Sequence, residues 1–564
     1  MTSREGLSPN LDRISWQDAI FVNQLRRSQL LALRRTWEVR HIDVNVYRNQ
    51  PFDLVDTALR PFLAFAGLET SVNYGDYDDS VSFSGRRSAG LEIVSLDFDR
   101  YRARFSIAEL TAWLADRALT LRMLSGAPIL VTNWVSDDED SNMFNENLPN
   151  ALSGVPELYV CDVAIVATTL GADAFDDRSV DLKASRWSDQ FILQMARAFG
   201  LQWIPAAVSS PVRAVIVDLD GTLYDGVLGE DGPDGIVISD DHIELQRRLL
   251  ELRSNGFFIG VVSRNKLEDV ERLFRERDDF PLKRADLSSC VVNWESKAHN
   301  LAKVARELRI GTDAILFVDD NPGELATVSA AFPIHILHAR TPQVTAAGLK
   351  MFPGIHRFAL TSADAIRIED LAAAQQRAHE LQEAADPKEY LRSIGIELSF
   401  RVDNGDDLER MAQLSNKTNQ FNTALTRKSQ TEVANRLHDG SLHAVTVGLR
   451  DRFSDSGTVC VLFAANSDDN LNVEEICISC RALGRGLETA MIMQAIQLLA
   501  TETTTSVTFS YANGPRNEPA LTWLGDIAGE VVDEIGNVRV DWNGEKAREA
   551  IVSAPATVLI EEET

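Results

Sequence analysis

The sequence predicts a multidomain α/β protein, and three observations support this class. The chain has 564 residues, which is enough for several domains. Short apolar stretches rich in β-branched residues recur along it and alternate with helical patterns, as in parallel sheets covered by helices. Several of these stretches end in carboxylates, hydroxyls or glycines, at the positions where ligands bind in open α/β sheets.

Composition and charge exclude several functional classes. Hydrophobic residues make up 45% of the chain and charged residues 25%, as in soluble globular proteins. Acidic residues outnumber basic ones by 84 to 56, a net charge of −28, whereas nucleic-acid binding needs a basic surface. No apolar run has transmembrane length, and the N-terminal residues lack a signal-peptide core. The five cysteines show no disulfide-framework spacing, so we expect a cytoplasmic protein that binds neither nucleic acid nor membrane.

Residues 1–211 form the first predicted domain, a parallel α/β unit. Helical patterns alternate with apolar stretches; the helical patterns lie at residues 20–40, 51–65, 107–124 and 188–199, and the apolar stretches at 91–96, 128–133 and 163–167. Asp97, Asp99 and Asn133 fall at predicted strand ends, where catalysis is conceivable. The region has no Gly-x-Ser-x-Gly nucleophile elbow, so we favour a binding or docking domain over a second active site.

The segment at residues 214–223 is the centre of the second predicted domain, residues 212–359. Four apolar residues indicate a buried strand, and Asp218 and Asp220 follow it, spaced so that both side chains point the same way. Two carboxylates at a strand end can hold a hard cation, and one can attack phosphorus while the other transfers a proton. The same residues also suit a helix N-cap, and the segment alone leaves both interpretations open.

Three further segments, in sequence order, favour phosphoryl chemistry. One apolar strand ends in Ser263, a helix opens with Lys297, and another apolar strand ends in Asp319 and Asp320. Each has a simpler explanation as a helix cap, a surface charge or a turn. Together the four segments resemble the haloacid dehalogenase (HAD) phosphohydrolase superfamily.

The HAD resemblance implies a role for each of these side chains. Asp218 would be the nucleophile and Asp220 the general acid and base. Ser263 and Lys297 would hold the phosphoryl oxygens, whose charge must be stabilised during transfer. Mg²⁺ would be bound by Asp218, by the backbone carbonyl of Asp220, by Asp319 and, as a helper, by Asp320.

The spacing of these segments leaves no room for a separate cap domain. Asp218 and Ser263 are 45 residues apart, and Ser263 and Lys297 are 34 apart. Caps normally enclose small substrates and exclude water. An uncapped site suits a large or protein-carried substrate, or it can be closed by another domain of the chain.

A helical linker is predicted at residues 360–387, a third domain at 388–540 and a C-terminal tail at 541–564. The third domain shows strand patterns at residues 396–400, 442–447, 458–464 and 473–479, and a short helix at 408–414. A polar cluster follows at residues 415–422. It includes Asn416 and Asn419, whose amides offer paired donors and acceptors to an amide-bearing ligand. An asparagine-rich turn explains the cluster equally well.

A glycine-containing loop joins the last of these strands to a helix. It contains Arg481, Gly484, Arg485 and Gly486. Glycines let backbone N–H groups approach an anion, and a helix N-terminus favours negative charge. The loop resembles that of the GNAT acyltransferase fold, which holds the pyrophosphate and pantetheine of coenzyme A, so we expect these residues to bind such a group.

Cys480 lies directly before this loop. The helix N-terminus and the adjacent arginines would lower the pKa of its thiol. Cys480 could therefore hold an acyl group as a thioester and pass it to a carrier thiol, a role that the family resemblance described below favours. The alternative is a buried structural cysteine, which suits Cys460 and Cys477 better.

The whole layout resembles the FkbH-like family of HAD proteins (HAD subfamily IIIC). The motifs that carry the resemblance are DLDGTLYDGVLGEDG at residues 218–232, FVDDNPGE at 317–324, LSNKTNQFNTALTR at 414–427 and SCRALGRGLE at 479–488. It implies an N-terminal SGNH-like or flavodoxin-like α/β unit, a HAD sheet and a GNAT-like α+β domain. It also implies that the protein takes 1,3-bisphosphoglycerate or a related substrate, removes phosphate and delivers a glyceryl unit to the phosphopantetheine arm of an acyl carrier protein in polyketide-type biosynthesis.

The sequence departs from the family pattern in two motifs. Gly221, Tyr224 and Asp225 replace the usual Asn, Trp and Gly, and Arg264 replaces Lys. Two alternative functions stay open: a stand-alone HAD phosphatase acting on a small phosphorylated metabolite, and a non-enzymatic scaffold for carrier proteins.

Overall fold

Five short strands form an all-parallel sheet in the first part of the chain. β3 and β4 are buried along their whole length, as expected for parallel strands covered by helices. The sheet has the order β2-β1-β3-β4-β5. Its strands are β1 (Arg40–Arg48), β2 (Leu68–Tyr77), β3 (Leu91–Ser95), β4 (Ile129–Thr132) and β5 (Leu158–Cys161).

A second all-parallel sheet follows, with the order β10-β9-β6-β7-β8. Its central strands are buried throughout, because they consist almost entirely of apolar residues. The strands are β6 (Ala214–Val217), β7 (Phe258–Ser263), β8 (Ser289–Val292), β9 (Ile315–Asp319) and β10 (His335–His338). Two all-parallel sheets confirm the predicted α/β class.

Helices connect and cover the strands of these two sheets. The α-helices span Pro9–Ile20, Arg27–Ala32, Asp53–Phe65, Ile107–Leu124, Glu139–Leu152, Val163–Leu170, Asp189–Arg197, Ile204–Val208, Leu228–Gly235, Asp240–Ser254, Leu267–Glu276, Lys297–Glu307, Pro322–Ala331 and Pro342–Met351. A π-helical turn, Ala198–Trp203, joins two of them. Short 3-10 turns lie at Phe98–Tyr101, Gly171–Ala174, Asp177–Ser179, Arg284–Asp286 and Thr312–Ala314.

The two parallel sheets belong to one compact unit, Met1–Thr361, and the rest of the chain forms a second unit, Ser362–Thr564. The computed structural model describes residues 9–136, 138–179, 185–359, 367–384, 386–467, 469–514, 516–529 and 534–561. The predicted boundary at residue 211 separates the two sheets in sequence, but the compact unit continues across it.

Aromatic contacts explain why the first unit does not divide at that boundary. Phe352, from the end of the second sheet region, lies 6.4 Å from Phe21 and 5.9 Å from Phe65, measured between ring centroids. Tyr159 of β5 stacks on Phe358 at 4.5 Å. These rings form one hydrophobic core shared by both sheets.

The second unit is built on a mixed sheet. Its order is β17-β16-β15-β14-β13-β11-β18, and β12 pairs with β15 beside this path. β15 and β16 are parallel, as are β11 and β18, and the other pairs are antiparallel. The strands are β11 (Ile396–Val402), β12 (Phe421–Asn422), β13 (His443–Arg450), β14 (Asp455–Ser467), β15 (Asn470–Ile478), β16 (Ser506–Ala512), β17 (Ile535–Asp541) and β18 (Ala556–Ile560).

The described part of the predicted linker belongs to the second unit. Its described portion forms the helices Arg367–Glu383 and Pro387–Ser393, while residues 360–366 and 385 lie outside the described residues. Asp370 accepts hydrogen bonds from Ser454 and Ser456 at 2.9 and 2.7 Å, and Arg377 donates to Asp451 at 3.0 Å. These buried polar contacts attach the first helix to the sheet, so the segment is not a free spacer. The remaining helices of this unit are Leu408–Lys417, Gln430–His438, Glu488–Leu499, Glu518–Ala528 and Gly544–Ser553, with a 3-10 turn at Gly405–Asp407.

The predicted tail, residues 541–564, is structured over its described part, which ends at residue 561. The helix Gly544–Ser553 leads into β18, which pairs in parallel with β11. All five residues of β18 are apolar or β-branched, but so short a run does not identify a strand by itself. Within the described part of the chain, no helix combines the length and the apolar character needed to cross a membrane.

Three strands of the first sheet, β1, β2 and β5, were not predicted, and one predicted strand is a helix. The helical pattern predicted at residues 20–40 is the end of one helix, a second short helix and the start of β1, whose period-2 alternation begins only at Arg40. The apolar stretch at residues 163–167 lies in the helix Val163–Leu170, which Asp162 caps by accepting from the Ile165 N–H at 3.0 Å. A short apolar run does not distinguish a strand from a buried helix.

Candidate active site

The predicted phosphoryl site lies at the carboxyl edge of the second sheet. Asp218 directly follows β6, Ser263 ends β7 and Asp319 ends β9. Because β6 lies between β7 and β9, these three strand ends are neighbours. All three side chains are buried. The structure therefore brings together residues that are about 100 positions apart in sequence.

Lys297 reaches this edge from the first turn of the helix Lys297–Glu307. Its Nζ lies 2.6 Å from Asp218 Oδ2 and 2.5 Å from Asp319 Oδ2. Lys297 is 4% exposed, so its charge needs these partners in the interior. The lysine is a bridge between the two carboxylates and not a surface charge.

The pKa values of this cluster are strongly perturbed. Burial raises the pKa of Asp218, against the opposing effect of Lys297. Burial and then the charge of Asp218 raise the pKa of Asp319 to about 7. Burial lowers the pKa of Lys297, but the two carboxylates outweigh it and hold that pKa above its ordinary value. Such coupled, buried groups are typical of functional sites.

The residues present fit a divalent cation. Asp218, Asp319 and Asp320 each offer an oxygen atom, and these atoms lie within 4.8 Å of one another. Asp218 Oδ1 is buried and has no hydrogen-bond partner among the described residues. Three carboxylates against the single ammonium of Lys297 leave two negative charges, which one divalent ion would balance. Oxygen donors are the ligands that Mg²⁺ prefers.

Asp220 is held by three hydrogen bonds. Its Oδ1 accepts from the Tyr224 hydroxyl at 2.6 Å and from the Leu228 N–H at 3.1 Å, and its Oδ2 accepts from Asn265 Nδ2 at 2.9 Å. Asn265 also donates to Ser263 Oγ at 3.2 Å, which links the two predicted catalytic side chains. Burial and the charge of Asp220 raise the pKa of Tyr224, so its hydroxyl stays protonated and donates.

Sequence reasoning missed Tyr224 and Asn265 as parts of this site. Tyr224 stands in the motif quoted above, as a departure from Trp, and Asn265 directly follows Arg264, the other departure named there. Arg264 itself turns away to pair with Glu324 at 2.7 Å. The available signal was the position of Asn265 two residues beyond Ser263, because alternate residues of an extended segment share a side.

The segment that follows Asp220 and Tyr224 folds into the short helix Leu228–Gly235. Arg277 holds it by donating to the backbone carbonyls of Pro233 and Ile236, at 2.5 and 3.2 Å. Between residues 218 and 297, all of which are described, the chain forms no separate cap domain. Trp294, in the loop before Lys297, is 71% exposed. The phosphoryl site at the edge of the second sheet therefore has no cap domain inserted between residues 218 and 297, as the spacing predicts.

In the second unit, Cys480 lies just beyond β15 and is half-buried. β16 pairs with β15 only over residues 470–473, although β15 continues to Ile478. Cys480 therefore lies just after the end of β15 that is not paired with β16. Cys460 and Cys477 are fully buried, and burial raises the pKa of Cys460 to about 12. These two are structural, as predicted from their strand positions.

The glycine loop after Cys480 is held by internal contacts. Gly484 and Gly486 have φ values of +77° and +67°, which favour glycine. The Gly484 N–H donates to Glu488 Oε1 at 2.9 Å, so a carboxylate of the chain itself lies at the loop where an anion was predicted. Arg485 donates to the buried Asp451 at 2.8 Å and to the Arg481 carbonyl at 3.1 Å.

The amides of the polar cluster also have partners within the fold. Asn416 Nδ2 donates to the carbonyls of Ala412 and Lys428 at 3.0 and 2.8 Å. Asn419 Oδ1 accepts from Arg427 Nη2 at 2.6 Å. These contacts fit the asparagine-rich turn, and a ligand-binding role for either amide stays a prediction.

Comparisons with solved structures find proteins that resemble parts of this chain. The N-terminal part of the Bacteroides fragilis protein BF1531, which contains a phosphatase domain complexed with Mg, is 19% identical and matches 62% of this chain and 100% of its own, with a TM-score of 0.46. PaiA N-acetyltransferase from Thermoplasma acidophilum in complex with coenzyme A matches 26% of this chain and 99% of its own, at 7% identity and a TM-score of 0.21. Spermidine N-acetyltransferase from Vibrio cholerae in complex with CoA and spermine matches 27% of this chain and 98% of its own, at 13% identity and a TM-score of 0.20.

No protein-family profile matches the sequence. No curated protein matches it either. Because the structural similarities have low TM-scores and low identities, we base the functional assignment on the residues of the site.

Proposed function

We propose that this protein is a Mg²⁺-dependent HAD-type enzyme that removes phosphate from a 1,3-bisphosphoglycerate-derived substrate and transfers the glyceryl unit to an acyl carrier protein through Cys480. The observation that carries the phosphoryl half is the buried Lys297 bridging Asp218 and Asp319, beside Asp320. The site holds charges of both signs at the open edge of a parallel sheet. A divalent cation bound there would neutralise the excess negative charge, and the cation and Lys297 together would attract a phosphoryl group.

Asp218 is placed to act as the nucleophile. Its Oδ2 contacts Lys297, whereas Oδ1 has no partner among the described residues and is available to attack. As the Asp218 oxygen bonds to phosphorus, the bond from phosphorus to the substrate oxygen breaks, and the Asp220 carboxyl group gives that oxygen its proton. A water molecule then attacks the aspartyl phosphate, Asp220 takes the proton, and inorganic phosphate leaves.

The other residues bind and orient the group that is transferred. Ser263 and Lys297 hold phosphoryl oxygens, and Tyr224 and Asn265 fix the carboxyl group of Asp220. When bound, Mg²⁺ would be held by Asp218, Asp319 and Asp320 and would neutralise charge on the phosphoryl oxygens.

The acyl half of the proposal rests on the half-buried Cys480. Its thiolate would attack the acyl carbon of the acyl phosphate, forming a thioester while phosphate leaves. The thiol of a carrier protein's phosphopantetheine arm would then attack the thioester and free Cys480. We expect this carrier to be a cytoplasmic partner, and we expect no nucleic acid or membrane to be involved.

A stand-alone phosphatase is the second candidate. It is favoured by the contact of Glu488 with the Gly484 N–H and by the pairing of Arg485 with Asp451, since both reduce what the loop offers to a phosphate. In that case the second unit would not transfer an acyl group.

Intact-mass measurement after incubation with 1,3-bisphosphoglycerate and Mg²⁺ separates these functions. We expect an acyl adduct that is lost in Cys480→Ala and retained in Cys290→Ala, which removes another half-buried cysteine. Adding the phosphopantetheinylated carrier protein should remove the adduct from the enzyme and add it to the carrier.

Two results would contradict the transfer. Phosphate release without an adduct would identify a stand-alone phosphatase. Neither release nor adduct, with carrier binding intact in Asp218→Asn, would identify a scaffold.

A further inference from the structure

A cavity of about 230 Å³ opens at the carboxyl edge of the first sheet. Ser95 at the end of β3 and Thr132 at the end of β4 line it, together with the loops that follow these strands. In this sheet β1 lies between β2 and β3, so the direction in which successive strands are added to the sheet reverses beside β1. Open α/β sheets bind ligands at such a switch point. The cavity lies in a different sheet from Asp218 and takes no part in the proposed reaction.

Two buried hydroxyls in the cavity lack partners. Ser95 is 0% exposed and Thr132 is 3% exposed. Neither Ser95 Oγ nor Thr132 Oγ1 has a hydrogen-bond partner among the described residues. A buried hydroxyl without a partner loses the hydrogen bonds that water gave it and destabilises the fold. Their position in a polar cavity indicates that a bound molecule or ordered water supplies the missing hydrogen bonds.

The charges around the cavity favour an uncharged ligand over an anion. Arg186 lines the cavity, but its Nη2 already pairs with Asp99 at 3.2 Å. Asp99 also accepts from Trp134 Nε1 at 3.0 Å. Asp97 forms no ion pair among the described residues: its Oδ1 accepts the Asp99 N–H at 3.1 Å, and the charges of Arg186 and Arg100 lower its pKa less than burial and Asp99 raise it. The carboxyl group of Asp97 is therefore available to accept hydrogen bonds and would repel an anion.

Asp97 is fixed in position through its backbone. The backbone N–H of Asp97 donates to Asn49 Oδ1 at 2.6 Å. Burial, and then the charge of Asp99, raise the pKa of Asp97 above its ordinary value. A carboxyl group in such an environment can form its hydrogen bonds with neutral hydroxyl groups of a ligand.

The remaining walls are apolar and aromatic. Trp134 is 1% exposed and Trp187 is 6% exposed, and both line the cavity. Small-molecule sites combine such walls with a few placed polar groups. Among the described residues that line the cavity there is no histidine and no cysteine, so binding is indicated rather than acyl transfer.

We propose that this cavity binds a small, uncharged, polyhydroxylated molecule, whose hydroxyl groups hydrogen-bond with Ser95, Thr132 and Asp97. Its volume corresponds to about seven or eight water molecules, so a skeleton of about four carbons fits.

The test uses the full-length chain and erythritol as the probe, detected by saturation-transfer NMR. We expect binding to the wild type and at least a tenfold loss of affinity in Thr132→Val and Ser95→Ala, which remove one hydroxyl each. Erythronate, which replaces a terminal hydroxymethyl group of erythritol by a carboxylate, should bind at least tenfold more weakly than erythritol because of Asp97. Phosphate release at Asp218 should be unchanged in both variants.

Melting temperatures provide a second readout. Thr132→Val removes an unpartnered hydroxyl at nearly constant shape, so its melting temperature should stay equal or rise. Thr345→Val is the matched control: this buried hydroxyl donates to the Thr341 carbonyl at 2.7 Å, and its loss should lower the melting temperature.

Three outcomes would overturn the proposal. These are equal erythritol signals in wild type and Thr132→Val, tighter binding of erythronate than of erythritol, and a melting temperature that falls as far in Thr132→Val as in Thr345→Val.

Discussion

Gly221 shows how a single residue shapes the phosphoryl site. It has a φ of +66°, and a Cβ atom built on it would lie 2.5 Å from Asp320 Oδ2. The pattern that the sequence resembles has Asn here, whereas this chain has Gly. The missing side chain is what lets the Asp320 carboxyl group approach Asp218 and Asp319.

Gly221→Ala should therefore damage cation binding more than folding. The positive φ costs about 1 to 2 kcal/mol of unfolding free energy in any L-residue. In addition, the new Cβ would displace Asp320, so we expect the apparent affinity for Mg²⁺ in phosphate release to fall at least tenfold. Urea unfolding and a Mg²⁺ titration of activity measure the two effects separately.

Gly85→Ala is the matched control for the cost of the backbone conformation. Gly85 has a φ of +69°, and nothing lies within 4 Å of a Cβ built on it. It should lose similar stability and keep its Mg²⁺ affinity. Equal Mg²⁺ affinity in Gly221→Ala and wild type would show that Asp320 is not a ligand.

At the residue scale, sequence reasoning placed the charged centre of the site and missed its supporting contacts. Asp218, Lys297 and Asp319 were predictable because each begins or ends an element at the edge of one sheet. The pairing of Arg485 with Asp451 was not predictable, because the two residues meet only when different strands and loops come together. A motif shows which side chains are present, but it does not show which of them already form hydrogen bonds or ion pairs within the fold.

At the scale of elements, prediction succeeded where a pattern was long or had a distinct end. The helix Asp53–Phe65 was predicted from the proline and aspartate that open it, and Ile107–Leu124 from its helical pattern. β1 was missed, because its alternating residues follow a basic, apolar stretch that looks helical. β18 was missed because its run of five apolar or β-branched residues is too short to identify a strand by its pattern alone.

β18 provides an element-scale prediction. Glu561 N–H donates to the Phe400 carbonyl at 3.0 Å, so by alternation the Leu559 N–H also faces β11 and the Ile560 N–H faces away. Leu559→Pro should lower the unfolding free energy of the second unit by about 1 to 2 kcal/mol, because it removes a ladder hydrogen bond. Urea unfolding checks this.

Ile560→Pro is the control for that substitution. Leu559 and Ile560 are both exposed, at 42% and 55%, so loss of packing is similar in the two variants. The control should cost clearly less stability than Leu559→Pro. Equal losses would show that β18 does not hold β11 through its backbone.

At the scale of the whole molecule, the sequence predicted three domains, a linker and a tail, whereas the chain forms two compact units. Sequence patterns locate sheets, and both parallel sheets were located. They do not show that Phe21, Phe65 and Phe352 meet in one core, or that the helix Arg367–Glu383 pairs its charges with the second unit. Such contacts join residues far apart in sequence, and no local pattern records them.

The central claim is that Asp218 attacks phosphorus at a Mg²⁺-dependent site. The most direct test is the initial rate of phosphate release from p-nitrophenyl phosphate by the full-length protein, with and without Mg²⁺. We predict a Mg²⁺-dependent rate that falls by about 10³-fold or more in Asp218→Asn, as expected for loss of a nucleophile. Asp278→Asn, which changes an exposed carboxylate of the same unit, should retain the wild-type rate. A rate that survives in Asp218→Asn, or that does not depend on Mg²⁺, would contradict the claim.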